Sequence, residues 1–326
     1  MSEPSVSLVM QSTLDRLWLL EETCERWKDP IVLVVYINND ELDRIGEQNK
    51  PWMNAFDWDE KCPQVTIIPY FGDESEETRQ YPVNKLRNVG LDALQTTHFM
   101  VVDVDFVPSE TLGSAIRDNF SSLEGHRDAL VVPAFERKND EQHRCDTIAK
   151  CQELLREDSD FIPSDFNHLR ECVHKEECIV FQSDVNWEGH YTTRSDTWLR
   201  GEWYEYDNDL KNEKRPRKIN CFHTFRYEPY VVLRWCNGST PYYDERFHGY
   251  GKNKIEYISH MRYVGYKFAV LPNGFIVHHP HPESNAKESW NNNQNNMHEN
   301  MDRLYYNFLD EIEMLHGEPY LSMCPR

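Results

Sequence analysis

A short apolar run that stops abruptly in two carboxylates constrains this chain more than any other stretch. The run covers residues 98–108 and reads His-Phe-Met-Val-Val-Asp-Val-Asp-Phe-Val-Pro. It predicts a buried strand whose carboxyl end brings Asp103 and Asp105 to a cleft, and alternation along a strand puts both on one side. Two hard oxygen ligands on one side favour Mg²⁺ or Mn²⁺, which usually keep open positions for water or substrate phosphates. The stretch therefore predicts a metal site beside a diphosphate.

Three further Asp-x-Asp triplets occur in this acidic chain, at residues 57–59, 158–160 and 207–209. All three stand in polar surroundings with no apolar run leading into them, so solvated loop or helix-end carboxylates are the favoured interpretation. For Asp103 and Asp105 the metal interpretation is favoured, because burying an apolar run that ends in paired acids is costly unless a cation compensates them.

The charge balance limits the partners of the chain. Its 326 residues carry 35 Lys and Arg against 56 Asp and Glu, a formal net charge of -21, and 39% of them are hydrophobic. This composition is ordinary for a soluble globular protein, and we expect one domain of α/β type. Phosphates of nucleic acids and of anionic membranes are repelled within a Debye length, roughly 8 Å in physiological salt, so we expect neither as a partner.

The sequence gives no signal for a membrane segment. No window approaches the roughly 20 apolar residues of a membrane span, and residues 1–4 lack the basic and apolar regions of a signal peptide. We therefore expect neither an anchor nor a leader in this chain. Its nine cysteines are an odd number, so at least one is free or pairs elsewhere.

The first forty residues predict a strand, a helix and a second strand, which is the unit of a parallel sheet. The strands are expected at residues 5–10 and 31–37, and a helix with a capped start at Ser12 is expected to run to residue 27. Loops beyond the strand ends face one cleft. Gln11 and Tyr36 are thus placed to contact a nucleotide base, and core packing is an equal alternative for Tyr36.

A second helix is predicted from Tyr81, with a proline at its first position. Its apolar residues can face the sheet, which leaves Arg87 and Asn88 to explain. The planar fork of Arg87 can hold a diphosphate or a sugar carboxylate. An ion pair of Arg87 with Asp92 or Asp105 is an equal alternative.

The middle of the chain is polar and rich in cysteine. Residues 138–180 predict a surface helical insertion, and the cysteines at 145, 151, 172 and 178 lie near histidines without a standard zinc spacing, so disulfides or buried thiols are favoured. The aromatic stretch that follows makes Trp198 and Trp203 candidates for a platform under an acceptor sugar. Core packing of these two rings is at least as strong an interpretation.

A second polar constellation covers residues 243–254 and contains an acidic pair and two glycines, which let the backbone approach a ligand closely. A later strand ends in His278 and His279. Because adjacent residues on a strand face opposite sides, at most one of the two can share a metal with the aspartates. We favour His278, which gives a set of Asp103, Asp105 and His278.

Several of these motifs, taken together and in order, are specific. They are Ser7-Leu-Val-x-Gln11 with Asp15-Arg16-Leu17, Tyr81-Pro-Val-Asn84 with Leu86-Arg87-Asn88, Asp103-x-Asp105-Phe106, Val132-Pro-Ala-Phe-Glu136, Glu228-Pro-Tyr-Val-Val232, Tyr243-Asp244 with Arg246-Phe247, Gly249-x-Gly251-x-Asn253-Lys254, and His278-x-Pro280-His281. Through them the chain resembles glycosyltransferase family 49, the glucuronyltransferase domains of LARGE type and the related β-1,4-glucuronyltransferase. The resemblance covers most of the chain, and residues 138–180 are its clearest exception.

The resemblance implies a GT-A fold, with a Rossmann-like, mostly parallel central sheet flanked by helices. Residues 1–326 would then be a single catalytic domain, with a nucleotide-binding part at about 1–135, the helical insertion at about 138–180 and an acceptor-binding part at about 181–326. It also implies Mn²⁺, or Mg²⁺, and inverting transfer from a UDP-sugar, first of all UDP-glucuronic acid, to a hydroxyl of a glycan. Family members usually work in the Golgi lumen.

The same resemblance suggests roles for single residues. The predicted donor-binding residues are Gln11, Arg16, Tyr36, Arg87, Asn88, Val104 and Lys254, among which Arg87 or Lys254 could select glucuronate through its carboxylate. Many inverting GT-A enzymes carry Glu-Asp after the glycine turn, with the aspartate as base, but this chain has Asn253-Lys254 there, as family relatives do. Inversion needs a carboxylate that takes the acceptor proton. We predict Asp244 for this role, with Glu245 second.

Alternative functions remain at this point. The nearest is the same fold with another UDP-sugar as donor. A different class is a non-catalytic glycan-binding protein on a glycosyltransferase fold, and a weaker third is a metallohydrolase built on the histidine-rich tail. Mn²⁺-dependent release of UDP from a UDP-sugar separates the first two from the others.

Overall fold

The structure is a computed structural model that describes residues 3–38, 41, 58–72, 81–139, 144–158, 160–201, 215–283, 285–293 and 296–325. Within these described ranges, twelve strands form two sheets, and helices cover them. The predicted class, an α/β fold with a Rossmann-like and mostly parallel central sheet flanked by helices, is confirmed. Among the helices that the structure describes, we find no candidate for a membrane span.

The strands define the architecture. They are β1 (Val6–Thr13), β2 (Ile31–Ile37), β3 (Val65–Phe71), β4 (His98–Val101), β5 (Phe106–Pro108), β6 (Asp128–Val132), β7 (Ala134–Arg137), β8 (Cys178–Val180), β9 (Arg217–Ile219), β10 (Tyr230–Arg234), β11 (Lys267–Val270) and β12 (Ile276–His278). The central sheet has the order β3-β2-β1-β4-β10-β6-β11-β9, and the smaller sheet has the order β5-β12-β7-β8. In the central sheet β10 and β9 run against the other strands. The carboxyl ends of the remaining strands therefore share one edge, which we call the carboxyl edge.

The described helices connect and cover these strands. They are α1 (Leu20–Arg26), α2 (Trp58–Lys61), α3 (Val83–Asp92), α4 (Leu112–Asp118), α5 (Ile148–Glu157), α6 (Phe166–His174), α7 (Ser195–Arg200), α8 (Ile255–Tyr263), α9 (Asn285–Asn291) and α10 (Met297–His316). Helix α3 packs on β1 at very short range, because a Cβ added to Gly90 would lie 2.5 Å from the side chain of Val9. A glycine at this position thus lets the helix that carries Arg87 approach the sheet.

Two sequence predictions about the first helix need correction. The predicted helix from Ser12 begins instead as a 3₁₀ helix at Leu14–Leu19 and continues as α1. The predicted cap is absent as well, because the hydroxyl of Ser12 donates to the carbonyl of Thr13. Strand β1 extends to Thr13, beyond the predicted end at residue 10. Its residues are buried on both faces, as in a sheet that is covered on two sides.

The middle segment is helical, as predicted, and its cysteines form disulfides, Cys145–Cys151 and Cys172–Cys178. The expectation that this segment lies on the surface is wrong for its apolar side. Phe161 and Leu169 are buried in the main core. The helices α5 and α6 therefore cover the sheet with one face and meet solvent with the other.

Trp198 belongs to the core and does not form an acceptor platform. Its ring is buried beside Phe135 and Phe275, and its indole N–H donates to the carbonyl of Leu271 at 2.9 Å. The alternative of core packing is thus the correct one for Trp198. Trp203 lies outside the described residues.

Candidate active site and metal centre

The two aspartates lie in a turn and not on a strand. Strand β4 ends at Val101, and the backbone N–H of Phe106 closes the turn by donating to the carbonyl of Asp103 at 3.1 Å. The prediction that alternation on one strand places both carboxylates on the same side is therefore wrong. Val104 is buried between them. As a result, each aspartate has partners of its own.

Asp103 accepts hydrogen bonds from four side chains. Oδ1 accepts from Nε2 of Gln11 at 3.1 Å and from Nη2 of Arg87 at 2.9 Å. Oδ2 accepts from Oη of Tyr230 at 2.8 Å and from Nζ of Lys254 at 3.1 Å. Burial alone would raise the pKa of Asp103, but Lys254 and Arg87 outweigh it and hold this pKa well below its ordinary value. Asp103 is therefore ionised and surrounded by donors.

Strand register explains why these partners meet. Val9 on β1 lies beside Val101 on β4 in parallel pairing, so Gln11 stands next to Asp103 at the carboxyl edge. Strand β10 pairs with β4 in the opposite direction, and its first residue, Tyr230, reaches the same place. The predicted site residue Gln11 and the predicted acid Asp103 are thus in direct contact.

Asp105 faces two imidazoles. Its Oδ2 lies 3.1 Å from Nε2 of His281 and 3.7 Å from Nε2 of His278, and Nη1 of Arg16 is 3.4 Å away. Its Oδ1 is buried without a hydrogen-bond partner in the described structure. Burial raises the pKa of Asp105, but His278 and His281 outweigh it and keep this pKa well below its ordinary value.

Pairing of the small sheet positions this group. Strand β12 lies antiparallel to β5 with His278 opposite Phe106, and the N–H of His279 donates to the carbonyl of Asp105 at 2.8 Å. The ring of His279 points the other way and packs against Trp18. The prediction that His278 and His279 face opposite sides is therefore confirmed.

The donor set of Asp105, His278 and His281 fits a divalent metal ion. One ligand atom from each residue lies within 4.8 Å of the others. A carboxylate with two imidazoles suits Mn²⁺ and related ions. Nδ1 of His281 lies 2.8 Å from the carbonyl of Pro282 and 3.2 Å from Nη2 of Arg16, and a metal bound at Nε2 would require the ring proton to sit on Nδ1. A cation bound by Nε2 and Oδ2 would replace the direct contact between these two atoms.

The predicted ligand set overlaps with this group in part. Asp105 and His278 lie together, whereas Asp103 binds Arg87 and Lys254 on the other side of the turn. Sequence reasoning did not select His281. Its place three residues after His278, beyond a proline that ends the strand, was a usable signal.

Arg87 forms the ion pair that was one of its two predicted interpretations, but with a different acid. Its partner is Asp103, not Asp92 or Asp105. The guanidinium is buried and also donates to Oδ1 of Asn253 at 2.9 Å. The face of Tyr243 lies 5.2 Å below it. Arg87 is thus fixed in one orientation behind the aspartate.

The predicted base candidates are each held by a neighbour. The carboxylate of Asp244 accepts hydrogen bonds from Nε and Nη2 of Arg246, and Nη1 of the same guanidinium donates to Glu311. Glu245 accepts from Nδ2 of Asn88 at 3.0 Å. The amide of Asn88 also bonds both backbone groups of Tyr243, so Asn88 fixes this segment in place.

Lys254 reaches the site from the glycine turn. The N–H of Gly249 donates to the carbonyl of Tyr81 at 2.7 Å. Gly251 has a positive φ of 92°, and a Cβ there would lie 2.4 Å from the ring of Trp290, so a glycine is required. The turn directs Nζ of Lys254 to the hydroxyl of Tyr230 at 2.8 Å.

Tyr36 is half-buried at the end of β2. Its ring stacks on Tyr70 and meets the edge of Tyr81, whose hydroxyl donates to Oε1 of Gln11. Core-type packing of Tyr36 is therefore present. Contact of Tyr36 with a nucleotide base stays a prediction.

Sequence reasoning included Glu228 in a motif but gave it no role, and this residue lies two positions before the strand that begins at Tyr230. Its Oε1 accepts from Nδ2 of Asn186 at 3.2 Å, and a Cβ on Gly189 would lie 3.1 Å from the same oxygen. Burial raises the pKa of Glu228 in spite of Lys254. The small cavity beside Asp103, about 10 Å³, has room for about one water.

Comparisons with known proteins agree with the resemblance. The chain is 29% identical over 284 residues to xylosyl- and glucuronyltransferase LARGE1 of Gallus gallus, which covers 86% of this chain and 32% of that protein. It is 29% identical to LARGE1 of Homo sapiens and 30% identical to LARGE2s of Danio rerio, with the same coverage. The chain thus spans about a third of the length of the curated relatives it matches.

The chain is also similar, at low sequence identity, to solved structures. TarS of S. aureus has a TM-score of 0.42 at 12% identity, covering 84% of this chain and 60% of that one. GalNAc-T7 with UDP, GalNAc and Mn²⁺ has a TM-score of 0.42 at 12% identity, covering 87% of this chain and 45% of that one. A family model described as glycosyl-transferase for dystroglycan matches residues 47–317, well over half of the chain. The chain therefore belongs to this family, glycosyltransferase family 49.

Proposed function

We propose that this chain is a metal-dependent, inverting glycosyltransferase that transfers glucuronic acid from UDP-glucuronic acid to a hydroxyl of a glycan. The supporting observation is the convergence of His278 and His281 on Oδ2 of Asp105 at the carboxyl edge, where one ligand atom from each of the three residues lies within 4.8 Å of the others. The names of the relatives, xylosyl- and glucuronyltransferases, support the reaction class and suggest UDP-glucuronic acid or another UDP-sugar as donor.

Asp105, His278 and His281 would hold Mn²⁺ or Mg²⁺ in this proposal. A divalent ion supplies positive charge that stabilises a diphosphate leaving group. Asp103, the third predicted ligand, remains part of the proposal as the carboxylate beside this group. Its ion pairs with Arg87 and Lys254 hold these two cations at the same edge.

The cations around the turn would bind the donor. Arg16 lies 3.4 Å from Asp105 and is partly exposed, so its guanidinium can turn to a phosphate oxygen. Lys254 stands at the opposite side of the turn, over the ring of Tyr230. We propose Lys254 or Arg87 as the group that pairs with the carboxylate of glucuronate, and Gln11, Tyr36, Asn88 and Val104 as further donor-site residues.

A carboxylate has to take the proton of the acceptor hydroxyl. Asp244 and Glu245 stay candidates, but a guanidinium partner stabilises the charged form of Asp244 and weakens it as a base. We add Glu228 as a third candidate. Its raised pKa brings it toward neutral pH, where a general base works best.

The disulfides support a proposal for the compartment in which the protein works. Four disulfides form in the described structure, and Cys236 is free. Disulfides persist in oxidising compartments such as the secretory pathway. We therefore propose the Golgi lumen.

The partners would be a UDP-sugar and a glycan acceptor, and the net charge of -21 disfavours nucleic acid.

The test is release of UDP from a panel of UDP-sugars with and without Mn²⁺. We expect turnover of one donor, first of all UDP-glucuronic acid, that is abolished by a chelator and restored by Mn²⁺. His281→Ala should lose Mn²⁺ binding and turnover together, whereas His174→Ala, an exposed histidine at the end of α6, should keep both. No release of UDP from any donor would support the glycan-binding alternative and contradict the proposal.

A further inference from the structure

A second cavity lies along the edge strand β9, away from the aspartates. It has a volume of about 160 Å³ and is lined by β9, by Val270 at the end of β11 and by the turn that contains Thr192 and Arg194. Val270 pairs with Arg217, so the start of β9 stands at the same edge as Tyr230 and Asp103. We call this space the basic cavity.

The described residues that line the basic cavity include four that carry or can carry positive charge. They are Arg194, Arg217, Lys218 and His223, joined by polar Asn220 and Thr192, and none of the described lining residues is Asp or Glu. A concentration of positive charge in a chain with a net charge of -21 is unexpected. The nearest acid that pairs with Arg194 is Asp196, at 4.0 Å, the limit of an ion pair.

These cations repel one another. Burial lowers the pKa of Arg217, and the nearby Arg194 lowers it further. The pKa of His223 is lowered in the same way, by burial and then by Arg194 and Arg217. Nε of Arg194 is buried without a hydrogen-bond partner in the described structure. An oxyanion in the cavity would remove both costs.

Exposed aromatic rings continue from the cavity toward the active site. The ring of Tyr191 lies 5.1 Å below the guanidinium of Arg194 and 5.3 Å from the ring of His223. Trp187, which is 54% exposed, packs against Tyr191. Aromatic faces beside charged groups suit sugar rings that bear anionic groups.

The path to the active site is short. The ring of His190 stacks on Tyr230, and the N–H of Glu228 donates to the carbonyl of Gly189 at 2.9 Å. Strands β10, β6, β11 and β9 are successive neighbours, so three strand spacings, roughly 14 Å, separate Tyr230 from the cavity. A short oligosaccharide spans such a distance.

We propose that the basic cavity binds an oxyanion carried by the acceptor glycan, a carboxylate, sulfate or phosphate several sugars away from the reacting hydroxyl. Arg217 and Lys218 bind the anion, Arg194 supports them from the turn, and Tyr191 and Trp187 contact the intervening sugars. The assignment of this anion to the acceptor rests on the proposed function. Binding of the anionic oligosaccharide itself does not.

A different origin of these charges is protection of a sheet edge. Strand β9 lies at the end of the central sheet, where Lys and Arg commonly discourage pairing with other chains. Edge protection requires charge but no ligand, so it predicts no preference between an anionic and a neutral oligosaccharide. The experiment therefore compares the binding of an anionic oligosaccharide with that of a neutral one.

Binding to the whole chain is measured by calorimetry without any donor. The probes are a tetrasaccharide of uronic acids, the neutral methyl ester of the same tetrasaccharide, a sulfated tetrasaccharide and inorganic phosphate. We expect the best anionic tetrasaccharide to bind at least about tenfold more tightly than the methyl ester, the effect of one charge-assisted contact. The two anionic tetrasaccharides distinguish carboxylate from sulfate, and phosphate alone reports the bare anion.

Variants separate the cavity from general electrostatics. Arg217→Ala combined with Lys218→Ala should abolish the preference for the anionic tetrasaccharide, and Arg217→Lys with Lys218→Arg should keep it. Lys267→Ala removes an exposed cation at the opposite end of β11 and is the matched control. No preference in the unmodified chain, or an equal loss in Lys267→Ala, would overturn the proposal.

A kinetic measurement separates this inference from the proposed function. In the double alanine variant we expect the KM for the anionic acceptor to rise about tenfold, with unchanged release of UDP in the absence of acceptor. If no donor is turned over by any variant while the binding preference still depends on Arg217 and Lys218, the proposed function fails and the cavity assignment stands. If turnover is normal but the preference is absent, the cavity assignment fails alone.

Discussion

Asp103 and Asp105 stand two residues apart on one turn, yet their surroundings differ in kind. Asp103 forms ion pairs with two basic side chains, Arg87 and Lys254. Asp105 meets His278 and His281, which are neutral when they bind a metal. The turn thus offers one carboxylate that orders cations and one that can ligate. This division follows from the turn, because a continuous strand would have given both acids the same neighbours.

The structure changes the expected general base from Asp244 to Glu228 as the first candidate to test. We predict that Glu228→Gln lowers kcat about 10²- to 10⁴-fold while the KM for the donor is kept, because the variant preserves the contact with Asn186 but cannot take a proton. Asp244→Asn should lower kcat less than tenfold, since its carboxylate serves Arg246. Steady-state kinetics of both variants with bound Mn²⁺ decide between them. A collapse in Asp244→Asn with near-normal Glu228→Gln would restore Asp244 as the base.

The sequence predicted part of this site, and the missing parts have a common cause. Apolar runs indicated where strands end, and this was enough to place Gln11 and Asp103 at one cleft and to group Asp105 with His278; the contact between Gln11 and Asp103 comes from the structure. Which way a loop curls after a strand end is set by tertiary contacts, so the approach of His281 was not predicted. The burial of Trp198 was undetermined because an aromatic residue at a helix position suits a protein core and a platform for a sugar equally.

Strand β4 carries a titratable group that makes the sheet sensitive to acid. His98 begins the strand, and burial, aided by Arg234, lowers its pKa to about 4. Its ring stacks on Phe120, and Nδ1 lies 2.9 Å from the hydroxyl of Thr97. Between this pKa and the ordinary value near 6.5 the unfolded chain binds more protons than the folded one. The contribution of His98 to stability is therefore complete above pH 6.5 and is lost as the pH falls to about 4.

The variant His98→Asn tests this statement at the level of the strand. Asn keeps a hydrogen-bonding group for Thr97 but does not titrate, so the free energy of unfolding should fall less steeply between pH 6.5 and 4 than in the unmodified chain. Denaturant unfolding at a series of pH values measures this slope. Buried His190 and His279 titrate in the same direction, so some slope remains in the variant. Parallel curves for the two proteins would show that His98 does not contribute.

The carboxyl edge organises the molecule as a whole. The aromatic residues at the end of β2, the group of Asp105, His278 and His281 near the end of β4, and the start of β9 in the basic cavity follow one another along it. Strand order in the central sheet produces this sequence of sites, since every described strand of that sheet except β10 and β9 ends on the same side. The expected division into a nucleotide-binding part before the insertion and an acceptor-binding part after it stays a prediction that this order supports. The helices that cover the sheet were predictable from periodicity, but the reversal of β10 was not.

One disulfide ties the segment after β9 to the end of the described chain. Cys221 follows β9 and pairs with Cys324, 103 residues later, whereas Cys172 and Cys178 are 6 residues apart. A cross-link restricts the unfolded chain more when the loop it closes is longer, by about 5 kcal/mol for the long loop and about 2 kcal/mol for the short one in the chain-entropy model. We predict that Cys221→Ala with Cys324→Ala lowers the free energy of unfolding more than Cys172→Ala with Cys178→Ala does. Denaturant unfolding of both double variants measures the difference. An equal loss, or a larger one for the short loop, would show that local packing and not chain entropy sets the contribution of these bonds.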